Sequence, residues 1–209
     1  DLGMCPECRT EVLDPTNRRY GYPFTTCTNC GPRYTVVHHM PYDRERTTLD
    51  QFPLCPACLA EYEDPSNRRF HAESTACPTC GPQLHLEDTQ EKQTAGEPLA
   101  VARAALAEGN IVAVRGLGGF LLAVDATNPE AIAELRHRKH RPAKPFAVMA
   151  RNVATIRTVC DLTKEAESIL QSPEAPIIIL DILPLPTPPS PPATVRSPPP
   201  PSTLPPPLP

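Results

Sequence analysis

The chain has 209 residues, 30 of them proline, and its 20 basic and 24 acidic side chains give a formal charge of −4. That acidic balance argues against a general nucleic-acid coat or a binder of anionic membranes. No apolar run approaches the roughly 18 residues of a membrane helix, and no basic-then-apolar secretory leader is present. Fourteen of the prolines fall between Ile182 and Pro209, so composition divides the chain into an ordinary body and a low-complexity stretch. The body is the more acidic part, because Arg196 is the one charged residue after Asp181. The chain opens at Asp1, inside a motif, and reads as a piece of something longer.

Residues 1–88 contain an internal repeat with a period of 50 residues. Cys5-Pro6-x-Cys8 returns as Cys55-Pro56-x-Cys58, and Asp14-Pro15-Thr16-Asn17-Arg18-Arg19-Tyr20 as Asp64-Pro65-Ser66-Asn67-Arg68-Arg69-Phe70. Cys27-x-x-Cys30-Gly31-Pro32 returns as Cys77-x-x-Cys80-Gly81-Pro82. Each unit, 5–30 and 55–80, is Cys-x2-Cys-x18-Cys-x2-Cys. Two close thiolate pairs wrap opposite edges of a tetrahedron, which is what structural zinc requires. Two units imply two zincs, each enclosed by its own repeat, so that loss of Cys27 should leave the second unit folded. With all four positions filled by sulfur, no open site remains for catalytic water. Eight of the ten aromatic residues lie here, too few apolar groups for a core, so metal binding must supply about 10–16 kcal/mol per site. Gly31 and Gly81 stand where a knuckle turn calls for positive φ and a close backbone amide. His38, His39, His71 and His85 read as surface or packing residues. The pairs Arg18-Arg19 and Arg68-Arg69 have two readings, contact with a phosphate or pairing with Asp14, Asp64, Glu61 or Glu63. So many unpaired-looking thiols place the chain in a reducing cytoplasm. The ninth cysteine, Cys160, lies among Ile156, Val159 and Leu162 and reads as a small buried residue, with a nucleophile as the alternative.

Residues 89–97 are a polar linker. Pro98 opens a helix at its first position and Gly109 stops it. Ile111–Arg115 and Phe120–Val124 read as strands, and Asn128-Pro129-Glu130 starts a helix reaching about Lys139. Phe146–Ala150 reads as a buried strand, Asn152–Val159 and Thr163–Gln171 as short helices, and Pro176–Asp181 as a last strand. Alternation of this kind predicts an α/β layer. Gly116-Leu117-Gly118-Gly119 is a glycine loop between strands, by itself either a tight connection or a weak phosphate signal. Between Arg136 and Pro145, seven of ten residues are basic or histidine, in a chain that is otherwise acidic. The dipole at a helix C-terminus accounts for some of that charge. Its continuation through a proline-stiffened loop suits a polyphosphate.

At this point residues 4–181 resemble the HypF-type carbamoyltransferases of nickel–iron hydrogenase maturation. The resemblance rests on the two cysteine repeats, Asn17-Arg18-Arg19-Tyr20-Gly21-Tyr22-Pro23-Phe24, Pro41-Tyr42-Asp43-Arg44 and Arg68-Arg69-Phe70-His71-Ala72-Glu73. Gly116-Leu117-Gly118-Gly119-Phe120 and Arg138-Lys139-His140-Arg141-Pro142-Ala143-Lys144-Pro145-Phe146-Ala147 follow in order. The resemblance implies two zinc fingers (1–88; ligands Cys5, Cys8, Cys27, Cys30 and Cys55, Cys58, Cys77, Cys80), the linker, a partial YrdC-like α/β domain over 98–182, and a disordered proline-rich tail over 183–209. It further implies a relay in which carbamate from carbamoyl phosphate joins ATP as carbamoyl-adenylate, and the carbamoyl group passes to the C-terminal cysteine of a partner protein, on the way to an iron-bound cyanide. Arg115, Gly118, Gly119, Arg138, Lys139, Arg141 and Lys144 would then face ATP phosphates. No general base is evident.

Two positions depart from the family pattern: Arg115 stands where lysine is usual, and Leu121 where histidine is usual. The motif-by-motif resemblance stops near Asp181, about halfway through the YrdC-like domain, which reads as a truncated or frame-shifted fragment inactive by itself. Two other classes compete. A zinc-containing module binding double-stranded RNA or tRNA conflicts with the acidic body. A scaffold whose prolines engage aromatic grooves lacks the basic flanks such motifs carry.

Overall fold

A computed structural model describes residues 1–90, 92–116 and 118–184; most of the proline-rich stretch read as disordered lies outside the described residues. In chain order the elements are α1 (Pro6–Leu13), α2 (Pro56–Glu63), α3 (Pro98–Ala107), β1 (Val112–Gly116), β2 (Gly119–Ala123), α4 (Pro129–Arg138), α5 (Val153–Arg157) and α6 (Lys164–Leu170), with 3-10 turns at Tyr34–Val36 and Arg44–Arg46.

The two repeats fold alike. Proline at the first helical position follows a cysteine at each N-cap, so α1 and α2 start directly from the first thiol of their units. Each helix ends in an aspartate turn: the Asp14 carboxylate accepts from the Thr16 amide and hydroxyl, and Asp64 does the same for Ser66. Asn17 and Asn67 then accept from the amides of Arg19 and Arg69. The recurring Asp-Pro-Thr/Ser-Asn-Arg-Arg string is thus a pair of fused turns that aims two arginines away from its own helix.

Between the repeats the chain is anchored and does not behave as a free linker. The Thr48 amide donates to the Val36 carbonyl at 2.8 Å, and Val36 and Thr47 are fully buried. Arg44 bonds the carbonyls of Phe52, Glu73 and Thr75, tying this segment to the second repeat.

In the second half, caps match the expected boundaries. Glu97 accepts from the Leu99 and Ala100 amides ahead of α3, Asn128 from Glu130 and Ala131 ahead of α4, and Asn152 and Thr163 cap α5 and α6. Gly109, at φ +83°, closes the stop of α3. β1 and β2 form an antiparallel pair from Val112↔Ala123 to Gly116↔Gly119, and α3 packs on β1. The other two expected strands are absent. Phe146–Ala150 and Pro176–Asp181 have no ladder partner apart from the neighbouring bridge of Cys160 to Ile182, and Met149 and Ile179 are each 97% exposed. An apolar run becomes a buried strand only when another strand pairs with it and a layer covers it. The described residues provide neither.

Candidate metal centres and the basic loop

Each set of four cysteines converges to a cluster, Cys5, Cys8, Cys27 and Cys30 in one repeat and Cys55, Cys58, Cys77 and Cys80 in the other, with ligand atoms all within 4.8 Å of one another. The sulfurs sit at 3.6 Å for Cys5–Cys27, 3.9 Å for Cys27–Cys30 and 3.6 Å for Cys8–Cys30. In the second cluster Cys55–Cys77 is 3.7 Å and Cys77–Cys80 is 3.6 Å. A tetrahedron of sulfurs each about 2.3 Å from a zinc ion has edges of about 3.8 Å, so both clusters fit that ion. Disulfides would bring paired sulfurs to about 2 Å. The histidines stay out of both clusters; the His71 ring lies tilted against Tyr62 and edge-on to Phe70.

The glycine after each knuckle is required for different reasons. Gly31 has φ +93°, and a Cβ there would lie 2.4 Å from Thr26 Cγ2. Gly81 has an ordinary φ; a Cβ there would lie 2.1 Å from the Tyr22 hydroxyl, which donates to the Pro82 carbonyl. Positive φ, expected at both, holds at Gly31 only. At Gly81 the close approach of Tyr22 takes its place.

The arginine pairs cross between repeats. Arg18 and Arg19 bond the Glu61 carboxylate, and the Nη2 atoms of both reach the Cys58 sulfur, at 3.2 and 3.5 Å. Reciprocally, Arg68 and Arg69 bond Glu11, and Arg68 reaches the sulfurs of Cys8 at 3.2 Å and Cys5 at 3.8 Å. Arg19 Nε donates to the Ala76 carbonyl and Arg69 Nε to that of Thr26. Burial alone pushes the Glu61 carboxyl up; hydrogen bonds and charge from Arg19 and Arg18 outweigh it and hold the group at about 2. Glu11 is likewise raised by burial and lowered, on balance, by Arg69 and Arg68. Of the two readings for these arginines, carboxylate pairing holds, with Glu61 among the expected partners and Glu11 in addition. Asp14 and Asp64 are occupied by their own turns. Glu11 carried a signal in the sequence: it recurs at Glu61 with the same 50-residue period. Each cluster draws its four sulfurs from one repeat, as expected, while the arginine bonds join the two repeats.

The basic segment follows α4. Arg136 donates from Nη1 to the carbonyls of Arg141 and Lys144, folding residues 139–144 back onto the helix end. The guanidinium groups of Arg136 and Arg141 lie 4.8 and 5.8 Å from the Phe146 ring centre. Arg136, His137, His140, Arg141 and Pro142 line an open hollow of about 290 Å³. Arg138 pairs with Glu134 one turn earlier, and Lys139 is the C-cap residue. Arg115, at the end of β1, lies over Phe120, and Gly118 and Gly119 form the turn between strands, with Gly119 at φ +128°. The described elements that pack on β1 are β2 and α3.

Comparison with known proteins gives both halves a family. A family model described as HypF finger matches residues 4–37 and 54–87, once per cluster. A second, of the Sua5/YciO/YrdC family and described as telomere recombination, matches 104–198, continuing past Asp181. The carbamoyltransferase HypF of Synechocystis is 56% identical over 183 residues, 87% of this chain and 24% of that protein. The chain belongs to the HypF family. The crystal structure of T. kodakarensis HypF superimposes with a TM-score of 0.83 at 51% identity, covering 86% of this chain and 24% of that one. A full-length HypF in its phosphate- and nucleotide-bound form gives 0.78 at 45% identity, covering 83% and 23%. The chain therefore spans about a quarter of the length of these relatives, namely two HypF fingers and part of a YrdC-like domain. Among the described residues no helix is long and apolar enough to cross a membrane.

Proposed function

We propose that this chain is the finger and partial nucleotide-binding segment of a cytoplasmic, ATP-dependent carbamoyltransferase of hydrogenase maturation. What carries the reading is identity of 56% over 183 residues, a span long enough to take in both fingers and the α/β segment. Cys5, Cys8, Cys27, Cys30 and Cys55, Cys58, Cys77, Cys80 hold two zincs, each of which closes its own repeat and leaves no position open for substrate. Arg115, Gly118, Gly119, Arg138, Lys139, Arg141 and Lys144 supply the anion-facing side of an ATP site. The nucleotide-bound relative supports that assignment, as does the concentration of cations around the hollow at the end of α4.

In this reading carbamate, released from carbamoyl phosphate, attacks the α-phosphorus of ATP; pyrophosphate leaves and carbamoyl-adenylate forms. The arginines and lysines compensate charge at the phosphates. The carbamoyl group then passes to the C-terminal cysteine of a partner. The segment alone is inactive, because catalysis needs both reactants in near-attack geometry, and this chain corresponds to 24% of the T. kodakarensis relative's chain. The test is carbamoyl-phosphate-dependent exchange of labelled pyrophosphate into ATP. The expected result is none from this chain and weak ATP binding that falls with Arg141→Ala or Lys144→Ala. Robust exchange by the chain alone would overturn the inactivity, and ATP binding indifferent to both substitutions would overturn the site.

A further inference from the structure

We propose that the two four-cysteine sites load and hold metal as one coupled unit, each electrostatically completed by arginines of the opposite repeat. The proposal rests on the zinc reading above. Four thiolates around a divalent ion carry a net charge near −2, and Cys8, Cys27, Cys30 and Cys58 are fully buried. Buried negative charge needs donors, and charge-assisted bonds from a guanidinium fork are the strong ones. For the first site the donor is Arg68, on Cys8 and Cys5; for the second the donors are Arg18 and Arg19, on Cys58.

The coupling follows from where these arginines sit in the chain. Arg68 and Arg69 stand between Cys58 and Cys77, inside the loop that the second metal closes. Arg18 and Arg19 stand between Cys8 and Cys27, inside the loop of the first. Opening either site frees the loop that carries the other site's donors, together with the Arg–Glu pairs to Glu61 or Glu11. By linkage the effect is reciprocal. Further cross-repeat bonds, Thr26 to Ser74 and Arg33 to Ser74, move with the same loops.

The experiment is a zinc titration of the metal-free full chain followed by native mass spectrometry. Coupling predicts that the zero- and two-zinc species dominate. Independent equal sites would place about half the molecules in the one-zinc state at half-saturation, and that result overturns the proposal. A chain that takes up fewer than two zincs at saturation overturns the zinc reading itself, a distinguishable failure. The second arm is initial rates of thiol alkylation in the zinc-loaded chain. Arg18→Ala should speed modification of Cys55, Cys58, Cys77 and Cys80 about tenfold, the scale of a lost bond to a charged group, ahead of any change at Cys5, Cys8, Cys27 and Cys30. Arg68→Ala should give the mirror pattern, and Arg18→Lys a smaller effect in the same direction. Acceleration confined to the mutated repeat overturns the crossed assignment.

Discussion

The finger half and the α/β half of this chain solve opposite problems. Residues 1–88 are poor in aliphatic side chains, yet Arg19, Thr25, Thr47, Arg69 and Thr75 are buried there beside the cysteines. The second half is rich in aliphatics and leaves many of them in water, with Phe120, Leu121, Val148, Met149, Ile177 and Ile179 all more than half exposed. Among the described residues of that half, Ala131, Leu135 and Leu162 are the buried apolar ones. In the first half order comes from the four-cysteine clusters and a buried polar network in which the guanidinium groups of Arg19 and Arg69 have carboxylate and carbonyl acceptors. In the second it depends on apolar area, which stabilises only when something covers it.

The sharpest way to break this comparison is to remove the metal. Chelation should abolish hydrogen-exchange protection throughout residues 4–88 while leaving the amides of α4 as they were, since about 10–16 kcal/mol per site is withdrawn from one half alone. Protection surviving in the fingers would mean that the polar network suffices without zinc.

Next in size is the carboxylate at the centre of the crossing. Glu61→Ala strands Arg19, whose side chain is 2% exposed, and should cost about 3 kcal/mol in urea unfolding of the zinc-loaded chain. Because the Glu61 carboxyl is depressed from an ordinary 4.5 to about 2, its contribution is complete above pH 4.5 and is lost as the pH falls toward 2. Acid also strips zinc by protonating thiolates. The carboxylate's part is therefore read as the gap in stability between the native chain and Glu61→Gln, which should narrow below pH 4.5.

Much of this was legible in the sequence, and the limits are physical. The cysteine spacing announced both clusters because four sulfurs in two close pairs have few other uses. The helix starts near Pro98, Asn128, Asn152 and Thr163 were legible because a helix terminus is a local matter. What stayed hidden was partner choice. In a tandem repeat the composition around Arg18 is the same whether it bonds its own helix or that of the other unit, so only the fold distinguishes Glu11 from Glu61. Phe146–Ala150 and Pro176–Asp181 failed as strands for the converse reason, since a strand is defined by neighbours that periodicity does not reveal.

Of intermediate size are the two knuckle glycines. Gly31→Ala and Gly81→Ala should each lower stability by about 2 kcal/mol, one through backbone strain and collision with Thr26, the other through collision with Tyr22 and Ala76. Tyr22→Phe should relieve part of the Gly81→Ala loss, with the Ala76 Cβ contact at 2.6 Å remaining, and leave Gly31→Ala unchanged, measured as shifts in thermal midpoint. The smallest effect is expected at Met149. As this side chain is almost wholly exposed, Met149→Ser should change stability by less than about 0.5 kcal/mol while raising the solubility limit. A larger loss would show that the apolar surface of the second half is covered in solution.

The crossing of arginines also has a consequence in time. Cys30, the last sulfur of the first finger, precedes Arg68 by 38 residues, a distance a ribosome covers in roughly 2–8 s at about 5–20 residues per second. During that interval the first finger has all its own sulfurs outside the tunnel and none of the guanidinium groups that complete it. Its thiols are then as open to oxidants and foreign metals as they will ever be, and the finished protein shows no trace of that exposure.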